Sequence, residues 1–326
     1  MTPRPAPKRG GSEPRGRSDR PAAGRGAPAG RGAPAGRSAG RAAPAGRGPS
    51  GGRSSGPASV RPTRGSSGRG NPSSQPRRSS DDLGGEQVEG RQAVLELLRA
   101  KRRPVRKIFM AETLDPSPIL DQIEELAKSQ RVPVQYVSMA RLDREARTET
   151  HQGIFAEAAK IKPVSLEDLL DVPNPFLLVG DGVTDPRNLG AILRSAEGAG
   201  VTGVVLPRHR TARISPSVTK TAAGAIEYLP FAQVGGIPTA IDQLNKRGVL
   251  TVGLAGEGDT HFYDIDFSNQ PVALVIGSEE SGLAQLTRKR CQYVARLPQL
   301  GRISSLNASV AASVAAYEVA RQRGAR

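Results

Sequence analysis

Apolar residues recur with two different periods after residue 83, and the two periods alternate along the chain. Short continuous apolar runs are typical of strands, whereas apolar positions spaced three or four apart indicate helices. In the first part of this region the pattern predicts helices over 88–98 and after Pro116, and strands over 107–110, 133–137 and 153–156. A mixture of this kind, over about 75 residues, predicts a small α/β domain with a core of its own.

From residue 176 onward strands and helices alternate regularly, which is typical of a parallel sheet with helices on both faces. The predicted strands are 176–179, 201–206, 229–233, 249–254, 272–276 and one ending at 294–298. The predicted helices are 189–199, one beginning near Ser215, 237–246, a short basic helix, and a long one opened by 301–307. In the last helix we expect a buried apolar stripe formed by Leu306, Val310, Val314 and Tyr317. These patterns predict an α/β fold in two parts, over 83–159 and 176–326, joined by a linker over 160–175.

The first 82 residues differ in kind. Residues 1–80 contain 17 Lys and Arg against two acids, a net charge of +15, whereas the remaining 246 residues carry 30 basic and 29 acidic side chains. This segment has no Leu, Ile, Phe, Tyr or Trp, so it cannot offset its ordering entropy by burial, and we expect it to be disordered. A polycation that tracks phosphate backbones is the favoured interpretation. A solubilising extension and an organellar transit peptide are the weaker alternatives.

Several classes of protein are disfavoured by what the chain contains. One cysteine, Cys291, excludes an intramolecular disulfide framework and fits a reducing, cytoplasmic location. The three histidines are scattered without ligand spacing, so no metal site is expected. Continuous apolar runs fall short of the roughly 18 residues that a membrane span needs, so no membrane association is expected.

Polar and glycine-rich loops follow three of the predicted strands, where open α/β sheets bind ligands. The first runs from Asp181 to Arg194 (DGVTDPRNLGAILR) and the second from Gly277 to Leu283 (GSEESGL). The third runs from Gly301 to Asn307 (GRISSLN) and opens the last helix.

Together and in this order, these motifs resemble those of the SpoU-type RNA 2′-O-ribose methyltransferases of the SPOUT superfamily. The resemblance extends from about residue 86 to residue 323, and Thr150–Gly153 (THQG) resembles the end of the family's first domain. It implies an L30-like RNA-binding domain, a carboxy-terminal trefoil knot and a homodimer formed through the second domain. It further implies methyl transfer from S-adenosylmethionine to a ribose 2′-hydroxyl, most simply of a guanosine in 23S ribosomal RNA or its precursor. Glu280 departs from the family, which usually has glycine there.

Carried onto this sequence, the resemblance implies a set of site residues. Near the substrate it implies Asn188, Arg194, Glu279, Ser305 and Asn307, and for cofactor binding it implies Gly277, Leu297 and Leu306. Each polar residue also has a simpler interpretation, because Asn188, Ser305 and Asn307 could be helix caps and Arg194 and Glu279 could face water. Guanidinium has a pKa above ~12, so we assign Arg194 to phosphate binding and hydroxyl orientation instead of proton removal. Glu279 could accept the hydroxyl or orient Arg194.

Other functions remain open from the sequence. A catalytically silent RNA-binding or ribosome-assembly factor on the same fold would be consistent with Glu280, and the methyl acceptor could instead be tRNA or an adenosine of ribosomal RNA. A nicotinamide-dependent dehydrogenase is disfavoured, because no G-x-G-x-x-G follows the first strand of the second part.

Deleting residues 1–80 should flatten the salt dependence of RNA binding and slow association at low salt. Each phosphate neutralised on single-stranded RNA contributes about −0.7 to the slope of log affinity against log salt, so engaging five arginines contributes about −3.5. Binding of the full and truncated chains across a salt series measures this slope, and mapping of the modified nucleotide is the control. An unchanged slope would exclude RNA contact by the tail, and a moved target would mean that the tail reads sequence.

Overall fold

The computed structural model describes residues 83–303 and 305–325. Residues 1–82, for which the sequence predicts a disordered basic tail, lie outside the described residues.

The first part of the described chain is built on a four-stranded sheet. Its strands are β1 (Gln87–Glu89), β2 (Val105–Ala111), β3 (Val134–Val137) and β4 (Ile154–Ala158), and its helices are α1 (Arg91–Ala100), α2 (Pro118–Ser129) and α3 (Met139–Glu145). The strand order is β1-β4-β2-β3, with β2 and β3 parallel and β4 antiparallel to both of its neighbours. The predicted apolar sides of α1 and α2 enter the core through Leu97, Leu98, Leu120 and Ile123. The pattern did not predict α3.

The helix expected over 88–98 begins later than predicted. Val88 lies in β1, where it pairs with Ala156, and α1 starts at Arg91. Between them Gly90 has φ 97°, a left-handed conformation that glycine adopts without steric cost. This turn ends the strand and redirects the chain into the helix.

The second part contains a seven-stranded, fully parallel sheet. Its strands are β5 (Phe176–Asp181), β6 (Gly203–Pro207), β7 (Phe231–Val234), β8 (Leu250–Leu254), β9 (Thr260–His261), β10 (Val272–Gly277) and β11 (Tyr293–Arg296). Its helices are α4 (Pro186–Gly198), α5 (Pro216–Thr221), α6 (Ile237–Lys246), α7 (Gln285–Arg290) and α8 (Ala308–Gln322). The strand order is β7-β6-β5-β10-β8-β11-β9, which confirms the predicted parallel α/β sheet.

Both faces of this sheet are buried. Along β5, Phe176 and Leu178 belong to one apolar cluster, and Leu177 and Val179 belong to a second. The first cluster is shared with α4, α5 and α8, and the second with α6. Strands covered on both sides need continuous apolar runs instead of alternation, which explains the pattern seen in the sequence.

The segment over 160–175 is packed against the large sheet. Val164 forms an isolated parallel bridge with Ala232, and its N–H donates to the Phe231 carbonyl over 2.8 Å. Leu166 and Leu169 are buried in the second apolar cluster. The predicted linker is therefore held along its length by the domain that it precedes.

Helix α4 begins three residues before the predicted start, and this changes the interpretation of Asn188. The N-cap is Asp185, whose carboxylate accepts the Arg187 N–H over 2.8 Å, and Pro186 occupies the first helical position. Asn188 lies inside the first turn and does not cap the helix. Its side chain is free to take part in another contact.

The stripe predicted to be buried on α8 is exposed. Leu306, Val310, Val314 and Tyr317 are all more than a third exposed, whereas the buried positions are Ala312, Ala315, Ala316, Val319 and Ala320. The prediction was wrong because α8 packs through its smallest side chains, which let the helix approach α4 and the sheet closely. Ser313 Oγ donates to Ser195 Oγ of α4 over 2.7 Å, in keeping with this close approach.

Helix α8 runs from the carboxyl ends of the central strands to their amino ends. At its start Asn307 caps the helix beside the carboxyl end of β10, and just past its end Arg323 binds the chain that precedes β5 and β10. Arg323 Nη1 donates to the Asn174 carbonyl over 2.9 Å and Nη2 to the Gln270 carbonyl over 2.7 Å. Within the described part of the chain no helix is long and apolar enough to cross a membrane.

Replacing Asp185 by alanine should lower the free energy of unfolding by about 1 kcal/mol, the usual cost of losing an N-cap. The Asp185→Asn variant should be close to the wild type, because an amide oxygen caps equally well. Urea unfolding followed by circular dichroism measures both. Equal losses in the two variants would contradict the assignment of Asp185 as the cap.

Candidate active site

The carboxyl ends of three neighbouring strands border a cleft on the second part of the chain. Residues that follow β8, β10 and β11, together with the start of α8, enclose about 280 Å³. Five of the site residues predicted from the sequence line this cleft. Glu279 lies at its rim, and the other four are Gly277, Leu297, Ser305 and Leu306. The apolar part of the lining includes Ile276, Ala295 and Ala311. A cleft with apolar walls and polar groups at its edge suits a ligand that has both characters.

One wall of the cleft is a tight turn that only glycine permits. Ser278 and Gly282 exchange two backbone hydrogen bonds, of 2.9 and 3.0 Å, and Gly282 has φ 64°. The turn folds back over Gly277, where an added Cβ would lie 2.2 Å from the Gly282 carbonyl carbon. Because backbone atoms cannot move aside cheaply, Gly277 is required by the shape of the turn.

Glu280, the departure from the family pattern, does not strain this turn. It is exposed, its φ is negative and it does not line the cleft. A glycine is therefore not needed at this position by backbone conformation.

Three predicted site residues meet at the rim of the cleft. Asn188 Nδ2 donates to Glu279 Oε2 over 2.5 Å, and Asn307 Nδ2 donates to Glu279 Oε1 over 3.0 Å. Asn307 Nδ2 also lies 3.1 Å from Asn188 Oδ1, which accepts from it. The two amides thus hold one carboxylate from both sides, and the three residues come from the first turn of α4, the turn after β10 and the N-cap of α8. Glu279 binds these amides, and the described contacts do not include Arg194, which one sequence hypothesis had Glu279 orient.

Asn307 has two tasks at once. Its Oδ1 accepts the Ser309 N–H over 2.9 Å and so caps α8, while its Nδ2 faces Glu279 and Asn188. From the sequence, capping and a site role were alternatives for Asn307; in the structure its side chain caps α8 and also contacts Glu279. An aspartate here would keep the cap and lose the donor.

Arg194 lies away from this cluster. It follows Asn188 by six residues on α4, which places it about 9 Å further along the helix and about 240° around it. Its exposed side chain borders a second, larger cleft of about 730 Å³ between α1 and the α4–α5 region, together with Lys220 and Gln152. Within one chain the structure does not bring Arg194 to Glu279.

Sequence reasoning missed the loop after β8, which forms another wall of the cleft. Ala255, Gly256 and Glu257 line it, and Glu257 accepts from Arg288 Nη1 over 2.5 Å. Gly258 is packed so closely on β11 that an added Cβ would meet the Val294 carbonyl oxygen at 2.6 Å. The signal was present as Gly256-Glu257-Gly258 after a predicted strand, a fourth glycine-containing loop that follows the carboxyl end of a strand.

Cys291 lies close to the same strands but is unsuited to act as a nucleophile. Burial, with a smaller contribution from the charge of Asp181, raises the pKa of its thiol to about 12. The thiol is therefore protonated at neutral pH, and the thiolate is the reactive form. Cys291 is partly buried and packs against the second apolar cluster as a small apolar side chain.

The chain matches two family models over most of its described length. One, described as the SpoU rRNA Methylase family, matches residues 175–317. The other, described as RNA 2′-O ribose methyltransferase substrate binding, matches residues 87–164. The two matched ranges correspond to the two sheets.

Similar proteins come from several bacteria. A Pseudomonas aeruginosa protein named 23S rRNA (guanosine-2′-O-)-methyltransferase RlmB is 40% identical over 243 residues, covering 73% of this chain and 97% of that protein. A Bacillus subtilis protein, YacO, whose name gives the TrmH family of tRNA/rRNA methyltransferases, is 38% identical over 241 residues, or 72% and 95% of the two chains.

Solved structures share the fold. The SpoU methyltransferase AviRb from Streptomyces viridochromogenes has a TM-score of 0.62 and 26% identity, over 73% of this chain and 89% of that one. AviRb in complex with the cofactor AdoMet has the same TM-score and identity, over 73% and 90%.

Replacing Gly277 by alanine should weaken binding of S-adenosylmethionine by more than about tenfold, or 1.4 kcal/mol. The new Cβ forces the 278–282 turn to move, and overpacking of this kind also costs about 1–3 kcal/mol of stability. Isothermal titration measures the affinity, and Glu280→Gly is the matched control in the same turn. We expect that control to change affinity by no more than about tenfold; a larger loss for Glu280→Gly than for Gly277→Ala would contradict this account of the turn.

Proposed function

Because this chain belongs to the SpoU rRNA methylase family, we propose that it transfers a methyl group from S-adenosylmethionine to a ribose 2′-hydroxyl of RNA. The favoured substrate is a guanosine of 23S ribosomal RNA, in keeping with the name of the Pseudomonas aeruginosa relative at 40% identity. The observation that carries the proposal is the carboxylate of Glu279, held by two amides at the rim of a cleft that suits a nucleoside.

The cleft is the proposed site for S-adenosylmethionine. Leu297 and Leu306 would contact the flat faces of the adenine, and backbone groups around Gly277 would bind its polar edges. The missing Cβ at Gly277 supports this role, because it lets the turn close without filling the cleft. When bound, the cofactor supplies an electrophilic methyl group, so the protein's task is to orient the hydroxyl.

Glu279 is the proposed hydrogen-bond acceptor that orients that hydroxyl. Each of its oxygens accepts one amide hydrogen bond, and an ionised carboxylate has further lone pairs available. Asn188 and Asn307 fix its direction, so a hydroxyl bound to it would be held in one orientation. Positioning of this kind can contribute several kcal/mol to the rate. Ser305 lies on the same rim and is proposed as a donor to the ribose.

Arg194 is proposed to bind an RNA phosphate. It is exposed beside Lys220 in the cleft between the two parts of the chain, and these two cations are the groups there that a phosphate would bind, although Glu89, Glu96 and Glu197 line the same cleft. Phosphate binding by a guanidinium is favourable and salt-dependent. Proton removal stays unassigned, since an arginine is a poor base.

The catalytically silent alternative has less support. It depended on Glu280 as a lesion beside the cofactor, and an exposed Glu280 with negative φ outside the cleft does not act as one. The carboxylate of Glu279, held in one direction by two amides at the rim of the cleft, is further suited to orienting a hydroxyl. These observations favour the enzyme.

Three structural expectations belong to the same proposal. We infer that the first domain, over 83–159, is L30-like and contacts RNA, and that the last helix takes part in a trefoil knot in the 176–326 domain. We further infer that the chain forms a homodimer through the face of α8 that carries Val310, Val314 and Tyr317. Support comes from the exposure of these apolar side chains along one helix, which water contacts unfavourably.

Incubation of the full chain with labelled S-adenosylmethionine and unmodified 23S RNA should methylate one guanosine at its 2′-oxygen, as mapped by mass spectrometry. The Arg194→Ala variant should lose about a hundredfold in rate, or 2.8 kcal/mol, because it lacks the phosphate contact. It should bind the cofactor within about threefold of the wild type, and Arg247→Ala, at an exposed position on α6's C-terminal side, is the matched control.

If the chain bound the cofactor and methylated no RNA, the catalytically silent factor would be the better interpretation. If it methylated tRNA alone, the substrate would be tRNA instead of 23S ribosomal RNA. Equal losses of cofactor affinity and rate in Arg194→Ala would remove its phosphate role.

A further inference from the structure

One arginine of the basic segment 101–107, Arg103, forms hydrogen bonds with other parts of the protein. Arg103 Nε donates to Glu227 Oε2 over 2.8 Å and Nη2 donates to Glu227 Oε1 over 2.5 Å, a bidentate pair. The side chains of Arg103 and Glu227 are 7% and 4% exposed. Arg103 lies between α1 and β2 of the small domain, and Glu227 lies in a short 3-10 helix of the large one. The two domains are thus joined by a buried ion pair.

The remaining nitrogen of Arg103, Nη1, binds the chain at both ends of the small domain. Nη1 donates to the carbonyls of Gly85 and Ala159, both over 2.5 Å. Gly85 precedes the first strand of the small sheet, and Ala159 follows its last. One guanidinium therefore fixes where the chain enters and leaves the small domain relative to Glu227. A lysine could not reproduce this, because it has no planar fork of donors.

The segment around Glu227 is shaped to receive α1. Tyr228 Oη donates to Glu96 Oε2 over 2.6 Å, and Arg102 Nη1 donates to the Tyr228 carbonyl over 3.0 Å. Gly224 has φ 92°, and an added Cβ there would lie 2.3 Å from the Glu96 Cβ. Each of these contacts is either a directional hydrogen bond or a close steric fit. Together they favour one orientation of the small domain on the large domain.

That orientation determines the geometry of the cleft between the domains. Gln92 and Gln152 of the small domain face Arg194 and Lys220 of the large domain across it. A rotation of the small domain would change the separation of these groups and the path from one domain to Glu279. Methyl transfer demands close placement of the hydroxyl, so an error of about 1 Å can be costly.

We propose that Arg103 and Glu227 are positioning residues that fix the RNA-binding domain on the catalytic domain and so select the nucleotide that reaches the methyl-transfer site. This rests on the proposed function. Neither residue touches the reacting atoms; both act through the orientation of the small domain. Breaking the pair should leave RNA bound and displace it relative to the cofactor.

The experiment uses the full chain with Glu227→Gln, which keeps the shape and removes the charge, and Arg103→Lys, which keeps the charge and removes the fork. Arg141→Gln is the matched control, because it breaks an exposed ion pair with Glu145 in the same small domain. For each variant we would measure cofactor affinity, RNA affinity, the single-turnover methylation rate at saturating RNA, and the methylated positions.

The proposal predicts that both interface variants keep cofactor and RNA affinity within about threefold while the rate falls more than about tenfold. It also predicts methylation at nucleotides next to the original one. A merely structural role would lower cofactor affinity, thermal stability and rate together, and that result overturns the proposal. So does an unchanged rate and target in both variants.

A distance measurement tests the pair even if the chain transfers no methyl group. Spin labels at Glu125→Cys on α2 and Lys246→Cys on α6, in a Cys291→Ser background, report the separation of the domains. A narrow distance distribution that broadens in Glu227→Gln supports the pair as the fixing contact, and an unchanged distribution overturns it. Absence of methylation by the wild-type chain counts against the proposed function alone.

Discussion

The hydrogen bonds that join Asn188, Glu279 and Asn307 constrain the rest of the candidate site, because each residue comes from a different stretch of chain. Asn188 is nearly buried, at 8% exposure, and a buried amide without partners costs about 1–3 kcal/mol. The contact therefore requires α4, the turn after β10 and α8 to meet in one arrangement. Each helix start is compatible with it: Asp185 takes the cap of α4, and Asn307 caps α8 with the atom that does not face the site.

The parallel sheet makes this meeting possible. All of its strands run in the same direction, so their carboxyl ends lie on one side of the sheet. Loops that are far apart in sequence become neighbours there. Helix α8 then crosses the sheet and is held at its far end by Arg323, which binds carbonyls before β5 and β10. Because α8 packs through alanines, it lies close enough for Asn307 to reach Glu279, and its larger apolar side chains are left outside.

Polar contacts serve a second purpose between the two domains. A buried ion pair contributes little net stability, since desolvation offsets much of the attraction, but its geometry is exacting. Arg103 and Glu227 form a bidentate pair at the boundary of the two domains, and the remaining nitrogen of Arg103 binds the carbonyls of Gly85 and Ala159. The proposed function needs RNA held on one domain and methylated on the other, so a fixed boundary is a natural requirement.

The sequence alone predicted six of the seven strands of the parallel sheet and their alternation with helices along the chain, but it missed the two-residue strand β9. Continuous apolar runs mark strands buried on both faces, and the loops that follow them contain Gly277, Glu279 and Asn307. It placed Asn188 at the start of the helix that follows β5, although that helix begins three residues earlier than predicted. Local pattern is sufficient for these features because strand and helix periods are local properties.

Only the tertiary structure decided which competing role each residue has. Asn188 and Asp185 are equally good caps by sequence, and the observed helix start chose between them. By sequence, one apolar stripe of α8 is expected to be buried, formed by Val310, Val314 and Tyr317. In the structure α8 packs closely through its alanines, and these three side chains are exposed. Arg103 resembles any surface arginine until Glu227, 124 residues later, is brought against it. In each case the deciding partner is distant in sequence, and no local pattern carries information about it.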